Sequence, residues 1–188
     1  PPRSLQMELM VETTQSIVNQ HGGCAPLLLV EAARGRCIAA HFGTYDYTAS
    51  CNITAAHQRM DHPACCVARL MMQIAYAGTG IFLSDGATNV MPIGPHAARK
   101  DGPRLSAVQR DENRAVVHAA WRRHFEDVQS SLRLGFYQGW DLHPAQLVTR
   151  YAALYDFFLR GFDAAAERLR NFVDKAGLSP LSKGGFEM

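Results

Sequence analysis

Short, continuous apolar runs alternate along this chain with longer stretches whose apolar positions recur every three or four residues. Residues 6–11 read as a strand that ends at Glu12-Thr13-Thr14. A helical stretch is predicted from near Gln15, broken by Gly22-Gly23, and a short apolar helix over 27–34 is stopped by Gly35. Residues 37–42 are almost continuously apolar and predict a second strand, buried on both faces and ending in Gly43-Thr44-Tyr45-Asp46. Asp61-His62-Pro63 marks a helix start with proline at its first position, and that helix is predicted to about Ala77. Residues 81–83 form a third strand ending in Ser84-Asp85-Gly86. A Gly- and Pro-rich loop over 87–103 precedes a long charged helix predicted over 105–132. A fourth strand follows over 136–142, then helices over 143–160 and 164–176, and a tail from Leu178 expected to be loose.

Buried strands alternating with helices predict parallel pairing through right-handed crossovers. An open doubly wound sheet and a (β/α)₈ TIM barrel both satisfy that order. Several different strands end in small or acidic residues, and barrels place chemistry at several strand ends whereas open sheets gather it at one switch point. Neither G-x-G-x-x-G nor G-x-x-x-x-G-K-[ST] occurs, which removes the main support for dinucleotide or P-loop binding. The fold class expected is therefore α/β, a (β/α)₈ barrel. Four strands cannot close it, so the chain is expected to supply the last four βα units, with the remaining staves ahead of Pro1, disordered, or on another chain. Residues 1–161 would be the C-terminal half of the catalytic barrel, and 162–188 a C-terminal helix and tail.

Composition changes this picture little. The chain has 188 residues, 47% of them apolar, and a formal charge of +2. That suits a globular domain and gives no electrostatic case for nucleic acid. No apolar stretch approaches the ~20 residues of a membrane span. Cys24, Cys37, Cys51, Cys65 and Cys66 are odd in number and lack C-x-x-C spacing. They read as small apolar residues of a cytoplasmic, reducing environment rather than a disulfide frame. Zinc held by cysteine with His57 or His62 lacks any recognised spacing.

Candidate chemistry lies at the strand ends. Glu12 closes the first strand and Asp46 lies just past the second, and adjacent strands run ~5 Å apart. Two such carboxylates can share one hard cation, since Mg²⁺ takes one or two protein carboxylates and completes its shell with water and substrate oxygens. The plainer alternative makes Glu12 a helix cap and Asp46 a turn residue.

Three blocks carry a resemblance: Val11-Glu12-Thr13-Thr14-Gln15, Phe42-Gly43-Thr44-Tyr45-Asp46-Tyr47, and Gly139-Trp140-Asp141-Leu142-His143-Pro144-Ala145-Gln146. In this order they resemble the citrate lyase β-subunit-like, HpcH/HpaI aldolase superfamily, and fall where its barrel strands five, six and eight would end. The resemblance implies a (β/α)₈ barrel and Mg²⁺ (or Mn²⁺) held by Glu12 and Asp46. It also implies carbon–carbon lyase or aldolase chemistry on a 2-oxo acid or acyl-CoA thioester, through a metal-stabilised enolate. Gly43, Thr44, Tyr45, His143 and Gln146 become substrate-binding candidates, and His143 and Asp85 candidates for catalysis, although Asp85-Gly86 also reads as a turn. His41 reads as a satisfied interior histidine. Relatives are commonly oligomers, so a homo-oligomer is expected, with 164–176 as a plausible interface. The partners expected are a small-molecule carboxylate or CoA ester, with no nucleic acid and no membrane.

Departures from the family pattern bear on the substrate. The arginine that commonly follows the metal glutamate is absent from Thr13-Thr14-Gln15-Ser16, and Tyr45 and Tyr47 flank Asp46. Two other readings compete. A phosphoenolpyruvate-type phosphoryl-transfer enzyme on the same barrel would hold phosphate with residues 94–104. A non-catalytic barrel fragment would assemble with a partner.

Overall fold

In the computed structural model, which describes residues 5–98 and 102–177, four parallel strands form one sheet in the order β1-β2-β3-β4. They are β1 (Met7–Val11), β2 (Cys37–Phe42), β3 (Phe82–Asp85) and β4 (Gln138–Gly139). The chain has an α/β fold with a parallel sheet, and each strand pairs with the next in sequence. Between and after them run α1 (Ala25–Ala32), α2 (Thr44–Ser50), α3 (Pro63–Tyr76), α4 (Ala107–Arg133), α5 (Leu147–Arg160) and α6 (Phe162–Gly177). The expected loose tail from Leu178 lies outside the described residues.

Alternation along the strands divides the sheet into two faces. Val11, Ala40 and Phe42 are fully buried and pack with Cys65, Ala68 and Met72 of α3, forming the main core. A second, smaller cluster joins Val128 and Leu132 of α4 to Ala153 of α5. On the opposite face, the register sets Met10, His41, Ser84 and Gln138 in one row across all four strands. That face is open: Met10, Phe82, Trp140 and Leu142 are all exposed.

Local signals account for the element ends. Pro63 stands in the first turn of α3 and His62 caps it, accepting from Ala64 N. Ser106 and Gln109 form a capping box at the start of α4. Where sequence and structure differ, tertiary pairing decides. The helix expected near Gln15 is only a 3₁₀ turn, Thr14–Ser16, because Val18 is drawn into an antiparallel bridge with Cys24. Helix α1 begins and ends two residues ahead of its expected span, ending where Arg34 and Gly35 both turn left-handed. The strand expected over 136–142 shrinks to Gln138–Gly139, because β4 pairs on one side only and β3 ends beside it. Residues 44–50, expected to begin as a loop, form α2 directly after the strand.

One buried ion pair anchors the third strand. Asp85 accepts from Arg69 Nη1 of α3 at 2.8 Å, from Ser131 Oγ of α4 at 2.6 Å, and from the Gly86 amide at 2.9 Å. Both charged side chains are almost wholly buried, at 4% and 1% exposure. Removing one partner leaves an uncompensated charge in a low-dielectric interior. Arg69→Met is therefore expected to lower the unfolding free energy by about 3–5 kcal/mol, measured by urea denaturation followed by circular dichroism.

Candidate functional site

The C-terminal ends of the strands converge on a cavity of about 190 Å³, lined by Glu12, His41, Thr44, Tyr45, Asp46 and Trp140 among others. Glu12 follows the last residue of β1, and Asp46 lies in the first turn of α2, which β2 feeds through Gly43. The Gly43 amide donates to Val11 O at 2.9 Å, which closes the two strand ends together. Only glycine fits between them. A Cβ at position 43 would lie 2.6 Å from Glu12 Cβ and 2.9 Å from Glu12 Oε2. The backbones thus approach closely enough to bring both carboxylates to one spot.

Electrostatics record that approach. Burial pushes the Glu12 carboxyl above its ordinary value, and the charge of Asp46 and a hydrogen bond with its carboxyl push it further. Neither acid is in an ion pair with a basic side chain among the described residues, unlike Asp61, Asp85, Asp127 and Asp141. Glu12 is half-buried and Asp46 exposed, and a buried polar residue lies beside them. Thr44 is 1% exposed, its hydroxyl lacks any hydrogen-bond partner in the protein, and it lines the cavity. Among the described residues no group of three or more His, Cys, Asp or Glu side chains gathers. Two carboxylates suit a hard cation such as Mg²⁺, which keeps open positions for water and substrate.

The other predicted residues divide. Tyr45 lines the cavity, but its hydroxyl donates to Ala87 O at 2.6 Å and accepts from Asn89 N at 3.0 Å, so it ties α2 to the loop after β3. His143 and Gln146 form a capping box around the 3₁₀ turn Pro144–Gln146. Gln146 is fully buried: Oε1 accepts from the Leu142 and His143 amides, and Nε2 donates to Thr88 O at 2.9 Å. Neither residue lines the cavity. Asp85 has its carboxylate committed to Arg69, Ser131 and Gly86, so it serves the fold rather than proton transfer. From the expected phosphate loop, Ala97, Pro103 and Arg104 line a separate cavity with Leu105 and Gln109.

The cavity lining also holds His41 and Trp140, neither of which the sequence assigned to the site. His41 was expected inside, and it is buried, with Nδ1 2.8 Å from Ser84 Oγ. It also stacks on Trp140, with ring centroids 4.0 Å apart and planes inclined by 20°. Sequence places His41 on the second strand two positions ahead of Gly43, but only the strand register makes it a neighbour of Ser84 on the open face.

The chain belongs to the family described as Domain of unknown function (DUF6986), whose model matches residues 1–187. Among solved structures it is similar to a citrate lyase from Burkholderia xenovorans LB400, at 18% identity and a TM-score of 0.52. That match covers 85% of this chain but only 44% of the neighbour, so the chain spans less than half the length of that structure. At this identity the likeness concerns the fold alone. No curated protein matches the chain. No helix among the described residues is long and apolar enough to cross a membrane, and all five cysteines are free thiols.

Two outcomes test the geometry. Gly43→Ala is expected to cost about 1–3 kcal/mol of stability through overpacking against Glu12, read from urea unfolding. Because the Glu12 carboxyl is raised in the fold, its contribution is fully present below its ordinary value and is lost as pH rises through the raised one. Glu12→Gln is therefore expected to raise the melting temperature of the metal-free protein at pH 7, with the gain shrinking towards about pH 4.

Proposed function

We propose that this chain is the C-terminal part of a (β/α)₈-barrel lyase that holds a divalent cation, Mg²⁺ or Mn²⁺, through Glu12 and Asp46. The reaction proposed makes or breaks a carbon–carbon bond beside a carbonyl, on a 2-oxo acid or acyl-CoA thioester. The observation that carries it is the uncompensated carboxylate pair on consecutive strand ends. The fold likeness to a citrate lyase supports it, as does a sheet in which every strand neighbours the next without a reversal of order. The open face bearing Met10, Phe82, Trp140 and Leu142 is what half of a closed barrel would turn towards its other staves.

A bound cation supplies Lewis-acid stabilisation of negative charge developing on the substrate carbonyl oxygen. The chain's own residues do the rest. Glu12 and Asp46 fix the position at which a substrate carbonyl and carboxylate are held. The Thr44 hydroxyl is enclosed against Gly86 and closed to solvent, so Thr44 shapes the cavity rather than touching substrate. Trp140 and Leu142 form an apolar wall that lowers the local dielectric and strengthens these contacts. Residues 1–161 form the catalytic part in this reading, in a reducing cytoplasmic setting that suits the free thiols. Assembly into oligomers would use α6, whose Phe162, Leu169, Phe172 and Val173 are exposed.

The test is turnover of 2-oxo-acid aldol adducts and acyl-CoA thioesters with and without EDTA. Chelation, and Glu12→Gln combined with Asp46→Asn, are each expected to lower turnover at least about 100-fold, since several kcal/mol of charge stabilisation leave with the ion. Undiminished turnover in the doubly substituted protein would overturn the assignment.

A further inference from the structure

The pair of carboxylates occupies one wall of the cavity, and a histidine that they do not explain occupies another. His41 stands on β2 in the row of open-face residues, next to Ser84 of β3 by register. Its ring is held on two sides. Nδ1 is hydrogen-bonded to Ser84 Oγ at 2.8 Å, and the ring face stacks on Trp140 at 4.0 Å. The other nitrogen, Nε2, has no hydrogen-bond partner among the described residues, and it is not among the side-chain nitrogens sealed off from the surface. A packing histidine usually satisfies both nitrogens, as His124 does here with Thr149 Oγ1 at 2.7 Å and Asp141 Oδ1 at 2.8 Å. His41 instead fixes one nitrogen and leaves the other without a partner among the described residues, on a side chain that lines the cavity.

We propose that His41 donates a hydrogen bond from Nε2–H to an oxygen of the bound 2-oxo acid, the oxygen on which enolate charge develops, with Ser84 setting the tautomer. This rests on the lyase reading above and deepens it by giving the enolate oxygen a second, protein-borne partner. The Ser84 hydroxyl can donate to Nδ1, and the ring's one proton then sits on Nε2. Burial lowers the ring to about 4, with the Asp85 charge only partly opposing it. The imidazole is therefore uncharged near neutrality, which makes it a poor proton acceptor but an effective donor to a developing oxyanion. Trp140 keeps the ring plane fixed, so the N–H needs no reorientation when charge appears.

Oxalate mimics the planar, doubly negative enolate of a 2-oxo acid, and its binding can be read without turnover. Calorimetric titration with oxalate, with and without Mg²⁺, is run on the wild type, His41→Gln and His41→Asn. The glutamine amide reaches the place of Nε2, whereas the asparagine amide reaches that of Nδ1 and keeps the bond to Ser84. Under the proposal His41→Asn weakens oxalate roughly tenfold or more, while His41→Gln stays near the wild type. Equal binding by both variants, or the reverse order, overturns it, because a role confined to packing favours the variant that retains Ser84.

Wild-type binding that is indifferent to Mg²⁺ would sink the metal assignment, and the order of the two variants would still decide the role of His41. A wild type that binds no oxalate under either condition overturns both. If both variants unfold, the ¹⁵N signal of His41 Nε2 in the wild type decides: a shift on adding oxalate supports the proposal, and an unmoved signal overturns it.

Discussion

The buried contact between Arg69 and Asp85 is the constraint on which the rest depends, because it fixes where β3 ends. Asp85 gathers a helix on each side, α3 through Arg69 and α4 through Ser131, while its own carboxylate holds the Gly86 amide. The segment that leaves it is then fastened residue by residue. Gly86 lies against the Thr44 side chain, leaving no room for a Cβ. Ala87 O takes the Tyr45 hydroxyl, and Thr88 O takes the Gln146 amide. Thr88 Oγ1 donates to Asp127 Oδ2 of α4 at 2.8 Å. The ends of β2, β3 and β4 are thereby set relative to one another by polar contacts that cannot be lost singly without stranding a buried group.

This arrangement separates acids that are spent from acids that are spare. Asp141 is hydrogen-bonded to His124 and Arg150, and its carboxyl is held below its ordinary value by Arg150 and His124 even though burial opposes this. Asp61 is held low by Arg123 and Arg59, again against burial. Glu12 moves the other way, because burial and a neighbouring acid both favour its neutral form. A folded chain tolerates such a pair when it lies at a mouth open to water and to ions, and the cavity is such a place.

The strands and long helices were legible in the sequence because their apolar periods are strong. Residues 37–42 match their strand, and α3 and α4 fall within two residues of expectation at each end. The misses come from pairing that no local pattern announces: the Val18–Cys24 bridge that ends the first helical turn, and the one-sided pairing that leaves β4 two residues long. At the site, spacing brought Glu12 and Asp46 to neighbouring strand ends, where the structure has them facing one another. It could not tell a glutamine that faces a substrate from one that fastens a loop. His143-Pro144-Ala145-Gln146 reads the same in either case, and only the contacts to Leu142, His143 and Thr88 separate them. The partnership of His41 with Ser84 was hidden for a like reason. The two lie 43 positions apart along the chain and meet only through the register of adjacent strands.

Gly43 has a bearing on how relatives of this chain should be compared. The obstruction at that position comes from the Cβ of Glu12 as well as from its carboxylate. Shortening the acid to aspartate, or replacing it with a neutral residue, would leave the clash in place, since every residue but glycine carries a Cβ. The glycine is thus demanded by how closely two backbones run, and it would persist in a relative that lacked the acids. Retention of Gly43 marks the scaffold, whereas simultaneous retention of acids at positions 12 and 46 would mark the proposed cation site. The two should be scored separately when deciding which members of the family keep that site.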